Sequence, residues 1–211
     1  METKRVGRPR TIDPVEVSLV AVRLFESRGY TAVSVDEVAE VAGISRRHLF
    51  SLFPSKASLV WGGLDEVGQR LRASLAGSPE SENTADALRA AYLSAADFTD
   101  DQIEVTRLRL HVIDTHPALA AEGATRMDSL TDVVATFIAQ REGLGRDDLN
   151  VKVTATTIAA AARTALSWWA IHSDEEPKQV VSRALEIALA PSKVINQRQR
   201  KAAVRRTLNE E

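Results

Sequence analysis

The chain of 211 residues contains no cysteine. Disulfides, thiolate metal sites, iron–sulfur clusters and cysteine nucleophiles are thereby excluded. It also lacks any uncharged run longer than ten residues, whereas a membrane-crossing helix needs roughly 18 to 20 apolar ones. The N-terminus carries charges where a signal peptide would carry its apolar stretch, so a cytoplasmic protein without a membrane partner is expected. An excess of one charge sign is missing too. The 27 Lys and Arg are balanced by 29 Asp and Glu, for a net charge of -2, which taken whole argues against a nucleic-acid binder. No segment alternates apolar and polar side chains with the β-branched enrichment of a strand. What is present is a 44% hydrophobic chain, apolar enough for a packed core and too apolar for disorder.

The near-neutral total conceals an uneven chain. Residues 1–56 hold nine Lys and Arg against seven Asp and Glu, residues 57–192 hold twelve against twenty, and residues 193–211 hold six against two. Basic ends around an acidic middle fit a protein that meets a polyanion with one part only. Solvated basic termini would give the same figures.

Apolar positions recur with the helical period along most of the chain, so an all-α protein is expected. The first helix begins at Asp13-Pro14-Val15-Glu16: Asp13 caps, Pro14 suits the first helical position, and Glu16 can complete a capping box. Gly29 ends it. Ser34-Val35-Asp36-Glu37 repeats the capping-box pattern at the head of a short second helix. Gly43 then supplies the positive φ of a tight turn, Ile44 plugs the core, and Ser45 caps a third helix reaching Phe53. After Pro54-Ser55 one long helix is expected from Lys56 to about Ala76. A loop over 77–83 and helices near 84–98, 101–115, 118–141, 148–172 and 177–189 complete the pattern.

Two short helices about a tight glycine turn are the arrangement that lays a second helix in the DNA major groove while the first crosses the backbone. On the third helix, Leu49, Phe53 and, alongside them, Phe50 should face inward with Ile44. Arg46, Arg47 and His48 then occupy the outward first turn, where Arg can pair bidentately with guanine. Thr31, Ser34 and Ser45 bring hydroxyls to helix N-termini suited to phosphate oxygens, and Lys56 adds a charge at the next helix start. In Lys4-Arg5-Val6-Gly7-Arg8-Pro9-Arg10, the side chains of Arg8 and Arg10 are placed either to enter an A·T-rich minor groove or to serve as a basic tail that raises local affinity. The C-terminal Arg198, Arg200, Lys201, Arg205 and Arg206 read as a solvated terminus.

The run Leu24-Phe25, Arg28-Gly29-Tyr30, Thr31 to Val35, Val38-Ala39, Ala42-Gly43-Ile44-Ser45 and Phe53-Pro54-Ser55-Lys56 resembles the DNA-binding half of the TetR family of bacterial transcriptional regulators. The resemblance is specific over residues 13–61. It implies a homodimer on a double-stranded DNA operator, with a C-terminal helical domain for dimerisation and effector binding. Within the family, Ser45-Arg46-Arg47, Phe53 to Lys56 and Val60-Trp61 look most like regulators of the mycofactocin system. Three positions depart from the common pattern. Many members carry Tyr where this chain has Phe50 and His where it has Leu52, and Phe50 lacks the hydroxyl that commonly meets a phosphate. His48 stands where a small hydroxyl residue is usual, so the base preference does not carry over. The organisation implied is a basic arm (1–12), a helix-turn-helix domain (13–56), an effector-binding and dimerisation domain (57–190) and a basic tail (191–211).

For the acidic body the resemblance implies a four-helix dimer interface from the last two strong helices. Its candidate residues are Ile158, Ala162, Ala165 and Trp169 on one, and Val181, Ala184, Leu185 and Ala188 on the other; intramolecular core is the alternative. Trp168 and Trp169 point about 100° apart on a helix, so one can pack while the other lines a cavity. Candidate pocket walls are Trp61, Leu64, Phe98, Phe137 and Trp168, with Arg107, Arg109 and His111 on a middle helix. An arginine at such a pocket would hold the charged end of an anion or acyl thioester. The expected function is a ligand-responsive repressor released from its operator by a small hydrophobic or acyl-type effector. The alternative is a small-molecule carrier or an enzyme on a helical scaffold. Against catalysis, none of His48, His111, His116 and His172 forms a metal-ligand pair at i, i+4, and no phosphate-binding glycine loop or nucleophile elbow occurs. No catalytic residue, metal or cofactor is therefore expected.

Overall fold

The computed structural model describes residues 13–189, which form ten helices and no strand. In order these are α1 (Pro14–Arg28), α2 (Val35–Val41), α3 (Arg46–Leu52), α4 (Lys56–Trp61), α5 (Gly63–Gly77), α6 (Thr84–Ala95), α7 (Asp100–Thr115), α8 (Pro117–Glu142), α9 (Leu149–His172) and α10 (Pro177–Leu189). The arm with Arg8 and Arg10, and the C-terminal basic run, lie outside the described residues.

Most helix ends form for the reasons the sequence gives. Asp13 accepts from the Val15 N–H at 2.8 Å, although Glu16 does not close the expected box. Ser34 and Glu37 make theirs reciprocally, and Ser45 Oγ accepts from the His48 N–H at 3.1 Å. Gly43 sits at φ +68°, a conformation any Cβ would penalise. The single helix expected from Lys56 to Ala76 is divided at Gly62 into α4 and α5. Gly62-Gly63 is the weakest helix-forming pair in that stretch, and it admits a neighbour: a Cβ on Gly63 would lie 2.4 Å from Arg109 Nη1 on α7.

The core has two parts. The first joins Val17, Ala21, Val22 and Phe25 of α1, Val38 and Ala39 of α2, Leu49 of α3 and Leu59, Val60 and Trp61 of α4 to Val105, Val112 and Ile113 of α7 and Leu119 of α8. The core of the N-terminal three helices is thus completed by helices from the C-terminal part, which ties the position of α1 to that of α7. The second part is built from α5, α6, α8, α9 and α10. Along α9 the buried stripe is Val151, Ala155, Ile158, Ala162, Ala165 and Trp169, spaced alternately four and three residues apart, with alanines that permit close helix approach.

That stripe corrects the expected dimer surface. Ile158, Ala162, Ala165 and Trp169, together with Val181 and Leu185, are each 6% exposed or less within the single subunit, and Ala184 and Ala188 are partly buried. They fill the subunit's own core and have little left to offer a partner. The apolar side chains that these two helices do expose are Leu149, Val153, Trp168, Ile171 and Ile187. Among the described residues no helix is long and apolar enough to cross a membrane.

Candidate nucleic-acid interface and ligand cavity

The outward face of α3 begins with three exposed side chains, Arg46, Arg47 and His48. Arg46 is held by Asp36 of α2 in an ion pair and lies over the Phe50 ring at 5.4 Å. Both partners of that pair are about 60% exposed, so it is worth roughly 0–1 kcal/mol and can be exchanged for a base or phosphate at little cost. Arg47 takes part in no ion pair or hydrogen bond to a side chain among the described residues, which leaves its five donors available. Phe50 is corrected from an inward to an outward residue: it is 37% exposed while Leu49 and Phe53 are buried. Thr31, Ser34 and Ser45 are exposed at the same end. Ser34 and Ser45 spend their oxygens as caps and keep their hydroxyl protons free to donate.

Lys56 is half-buried and committed elsewhere. Its ammonium donates to the Tyr30 carbonyl and lies 4.5 Å from the Tyr30 ring and 5.3 Å from that of Phe25. Burial holds its pKa below the ordinary lysine range, against the opposing pull of Glu37. It pins the turn after α1 to the start of α4, so a phosphate there would compete with a structural contact. The same turn is touched from the other side by His116, whose Nε2 accepts from the Tyr30 N–H at 3.4 Å at the corner between α7 and α8.

Behind this face a partly open cavity of about 740 Å³ runs from α1 and α3 through α5, α7 and α8 to α9. The size is that of a site for a drug-sized molecule. Of the candidate pocket residues, Trp61, Leu64, Phe98 and Arg109 line it. Ser18, Tyr92, Met127, Leu130 and Leu166 also line it; no sequence signal marked them as one site, because they come from four different helices. Burial pushes the Tyr92 phenol upward, so it stays a neutral hydroxyl. Arg109 donates from Nη2 to Ser18 Oγ at 3.0 Å, while its Nε is shut off from solvent without any partner. Burial lowers its pKa to about 10, with Glu66 opposing. A buried donor left unpaired costs about 1–3 kcal/mol, and more when charged.

Four other pocket candidates lie elsewhere. Arg107, two residues from Arg109, points the opposite way. It donates to the carbonyls of Trp169, Ala170 and Ser173 at 3.0, 3.3 and 2.6 Å and lies 4.1 Å from the Trp169 ring. It closes the C-terminus of α9, where a cation is favoured by the helix dipole. Phe137 packs on the second core under Arg141, His111 is exposed, and Trp168 is 47% exposed with its ring 5.6 Å from that of His172. No group of three or more His, Asp or Glu that could hold a metal ion occurs among the described residues.

Comparisons with known proteins fit this geometry. Residues 19–60 match the family described as bacterial regulatory proteins, tetR family, and residues 82–191 match the MftR C-terminal domain. The chain is 33% identical over 92% of its length, and 98% of the other's, to a Mycobacterium tuberculosis protein, MftR, named as a candidate regulator of mycofactocin biosynthesis. It is 26% identical to the HTH-type transcriptional regulator TcmR of Streptomyces glaucescens, over 80% of this chain and 77% of that one. Its fold is similar to that of Thermus thermophilus FadR, a repressor solved with lauroyl-CoA (TM-score 0.53, 19% identity, 84% of this chain and 93% of that one). It is likewise similar to that of FadR from Bacillus halodurans (TM-score 0.61, 15% identity, 84% and 98%).

Proposed function

Because the chain belongs to the TetR family of bacterial transcriptional regulators, we propose that it is a dimeric repressor that releases its operator when a small, largely apolar or acyl-type effector fills the cavity. The observation that carries the reading is the course of the cavity: α1 and α3 line one end and α9 the other. An occupant therefore touches the helices that position α3 and the helix that exposes Trp168 and Ile171 to a second copy. Two recognition helices in one dimer would meet major grooves about 34 Å apart. An effector that favours another spacing by about 1–3 kcal/mol would change DNA affinity roughly 5- to 150-fold. The likeness in fold to a repressor solved with lauroyl-CoA supports an acyl-type occupant. In this reading residues 13–56 read DNA, residues 57–190 bind effector and partner, and the basic arm adds affinity.

The test is a mobility shift with the protein's own promoter region, followed by release with metabolites and acyl thioesters. A protein that shifts no promoter fragment at low salt is not this regulator, and one that no small molecule releases is a constitutive DNA-binding protein instead. The face of α3 makes a sharper prediction. Arg47→Ala should weaken binding to a selected operator about 5- to 150-fold, equivalent to about 1–3 kcal/mol of base discrimination, and change binding to random DNA much less. Equal losses on both would assign Arg47 to phosphates. Asp36→Asn, which frees Arg46, should strengthen binding to either DNA.

A further inference from the structure

Among the described residues two arginines of the cavity wall, Arg70 and Arg109, have a buried Nε without a partner; Arg70 is settled on the Ala95 carbonyl and the Phe98 ring, whereas Arg109 is left unfinished. Its guanidinium offers five N–H groups, and among the described residues a single protein atom, Ser18 Oγ at 3.0 Å, accepts from it. No carboxylate pairs with it at ion-pair distance, while Arg126, which also lines the cavity, reaches Asp65 at 3.6 Å. The bare Nε is buried, and the backbone at Gly63 passes too close for a side chain, 2.4 Å from Nη1 to a Cβ placed there. No better protein partner than Ser18 is on offer among the described residues. A charged fork in an apolar cavity wants an oxygen acceptor from outside.

The acceptor it has at present ties the cavity to the DNA-reading helices. Ser18 is a buried residue of α1, and its hydroxyl, while accepting from Arg109, donates to the Leu59 carbonyl of α4 at 2.7 Å. Arg109, Ser18 and Leu59 thus link α7, α1 and α4 in one chain of hydrogen bonds. The buried Nε and the Nη2 engaged with Ser18 form the same edge of the guanidinium, the edge that a two-oxygen acceptor grips side-on.

Resting on the reading of the cavity as the effector site, we propose that Arg109 is the anchor for the head of an aliphatic acyl ligand. Its guanidinium turns from Ser18, which brings the covered Nε to the cavity, and the Nε–Nη2 edge donates to a carboxylate or thioester oxygen. The ligand head and α1 compete for one donor. Occupancy then loosens the link from α7 to the DNA-reading helices, and a ligand without the acyl carbonyl or carboxylate oxygen fills the cavity without doing so.

The test uses the full-length protein titrated calorimetrically with laurate below its micellar concentration, with lauroyl-CoA and with 1-dodecanol, each ligand also being tried for operator release. In the wild type, laurate or lauroyl-CoA should bind at least about tenfold more tightly than 1-dodecanol, as expected of hydrogen bonds to a charged group. Arg109→Gln should abolish that advantage and leave 1-dodecanol within about threefold of its wild-type affinity. Arg109→Lys should retain part of it. Ser18→Ala, with Arg109 intact, should tighten the head-bearing ligands and not the alcohol, which keeps the proposal testable should Arg109→Gln fold poorly. Whichever of laurate and lauroyl-CoA carries the Arg109 dependence identifies the source of the acyl oxygen. The proposal is overturned if Arg109→Gln leaves both head-bearing ligands bound as tightly as before, if it weakens all three equally, or if Ser18→Ala weakens them. Release of the operator by 1-dodecanol with no role for Arg109 would sink the anchor alone. Failure of every ligand to release DNA, with Arg109-dependent binding intact, would sink the repressor reading and leave the anchor standing.

Discussion

Trp169→Ala is expected to destabilise the protein by about 3–5 kcal/mol, the range for deleting a fully buried tryptophan, and to lower Tm by roughly 6–20 °C at fixed protein concentration. The indole is 0% exposed in the second core, its Nε1–H donates to the Glu175 carbonyl at 2.7 Å, and Arg107 lies on its face. Alanine removes the packing, the carbonyl's donor and the surface that orients Arg107 over the last turn of α9, so part of that helix end should fray as well. The neighbouring substitution separates two roles that the sequence places side by side. Trp168→Ala removes a side chain 47% exposed and should change the stability of the fold by much less, while weakening association of subunits, read by sedimentation at decreasing concentration. If Trp168→Ala costs as much folding stability as Trp169→Ala at every concentration, the exposed side of α9 is not where a second copy docks.

That contrast marks how far the sequence was legible. The stripe from Val151 to Trp169 was readable as an apolar face, since a period of three and four residues reports burial. It does not report whose surface does the burying, which is why Ile158, Ala162, Ala165 and Trp169 suggested an interface and turned out to be core. The true exposed set, Val153, Trp168 and Ile171, is interleaved with polar residues and left a weaker trace. Arg107 and Arg109 pose the same difficulty in charged form. Two residues apart on α7, they point to different sides, and nothing local says which one meets the carbonyls of α9 and which one the cavity. The caps at Asp13, Ser34 and Ser45 and the turn at Gly43 were legible because their physics lies within four or five residues. The division at Gly62 was not, because the neighbour that needs the missing side chain at Gly63 lies on α7.

The joint between the two parts of the core makes the second large prediction. Trp61 of α4 is buried, lines the cavity, and donates from Nε1 to the Leu119 carbonyl of α8 at 3.2 Å. It can lie there only because residue 123 is glycine: a Cβ at that position would fall 2.1–2.5 Å from three atoms of the indole ring. On an exposed helix Gly→Ala is stabilising by nearly 1 kcal/mol through propensity alone. Within α8 the sign should reverse, since a rigid ring held by a hydrogen bond cannot step aside and overpacking costs about 1–3 kcal/mol. Trp61→Ala should itself cost about 3–5 kcal/mol, and in that background Gly123→Ala should become stabilising, which a double-mutant cycle by urea unfolding would read as a coupling of about 0.5–3 kcal/mol. Additive effects of the two substitutions would mean that Gly123 matters for some reason other than the indole. Because Trp61 belongs both to the core under α1–α3 and to the cavity wall, Gly123→Ala should also shift ligand affinity and operator affinity together, whereas a substitution that merely loosened α8 would lower stability and leave the ratio of bound to ligand-released DNA unchanged.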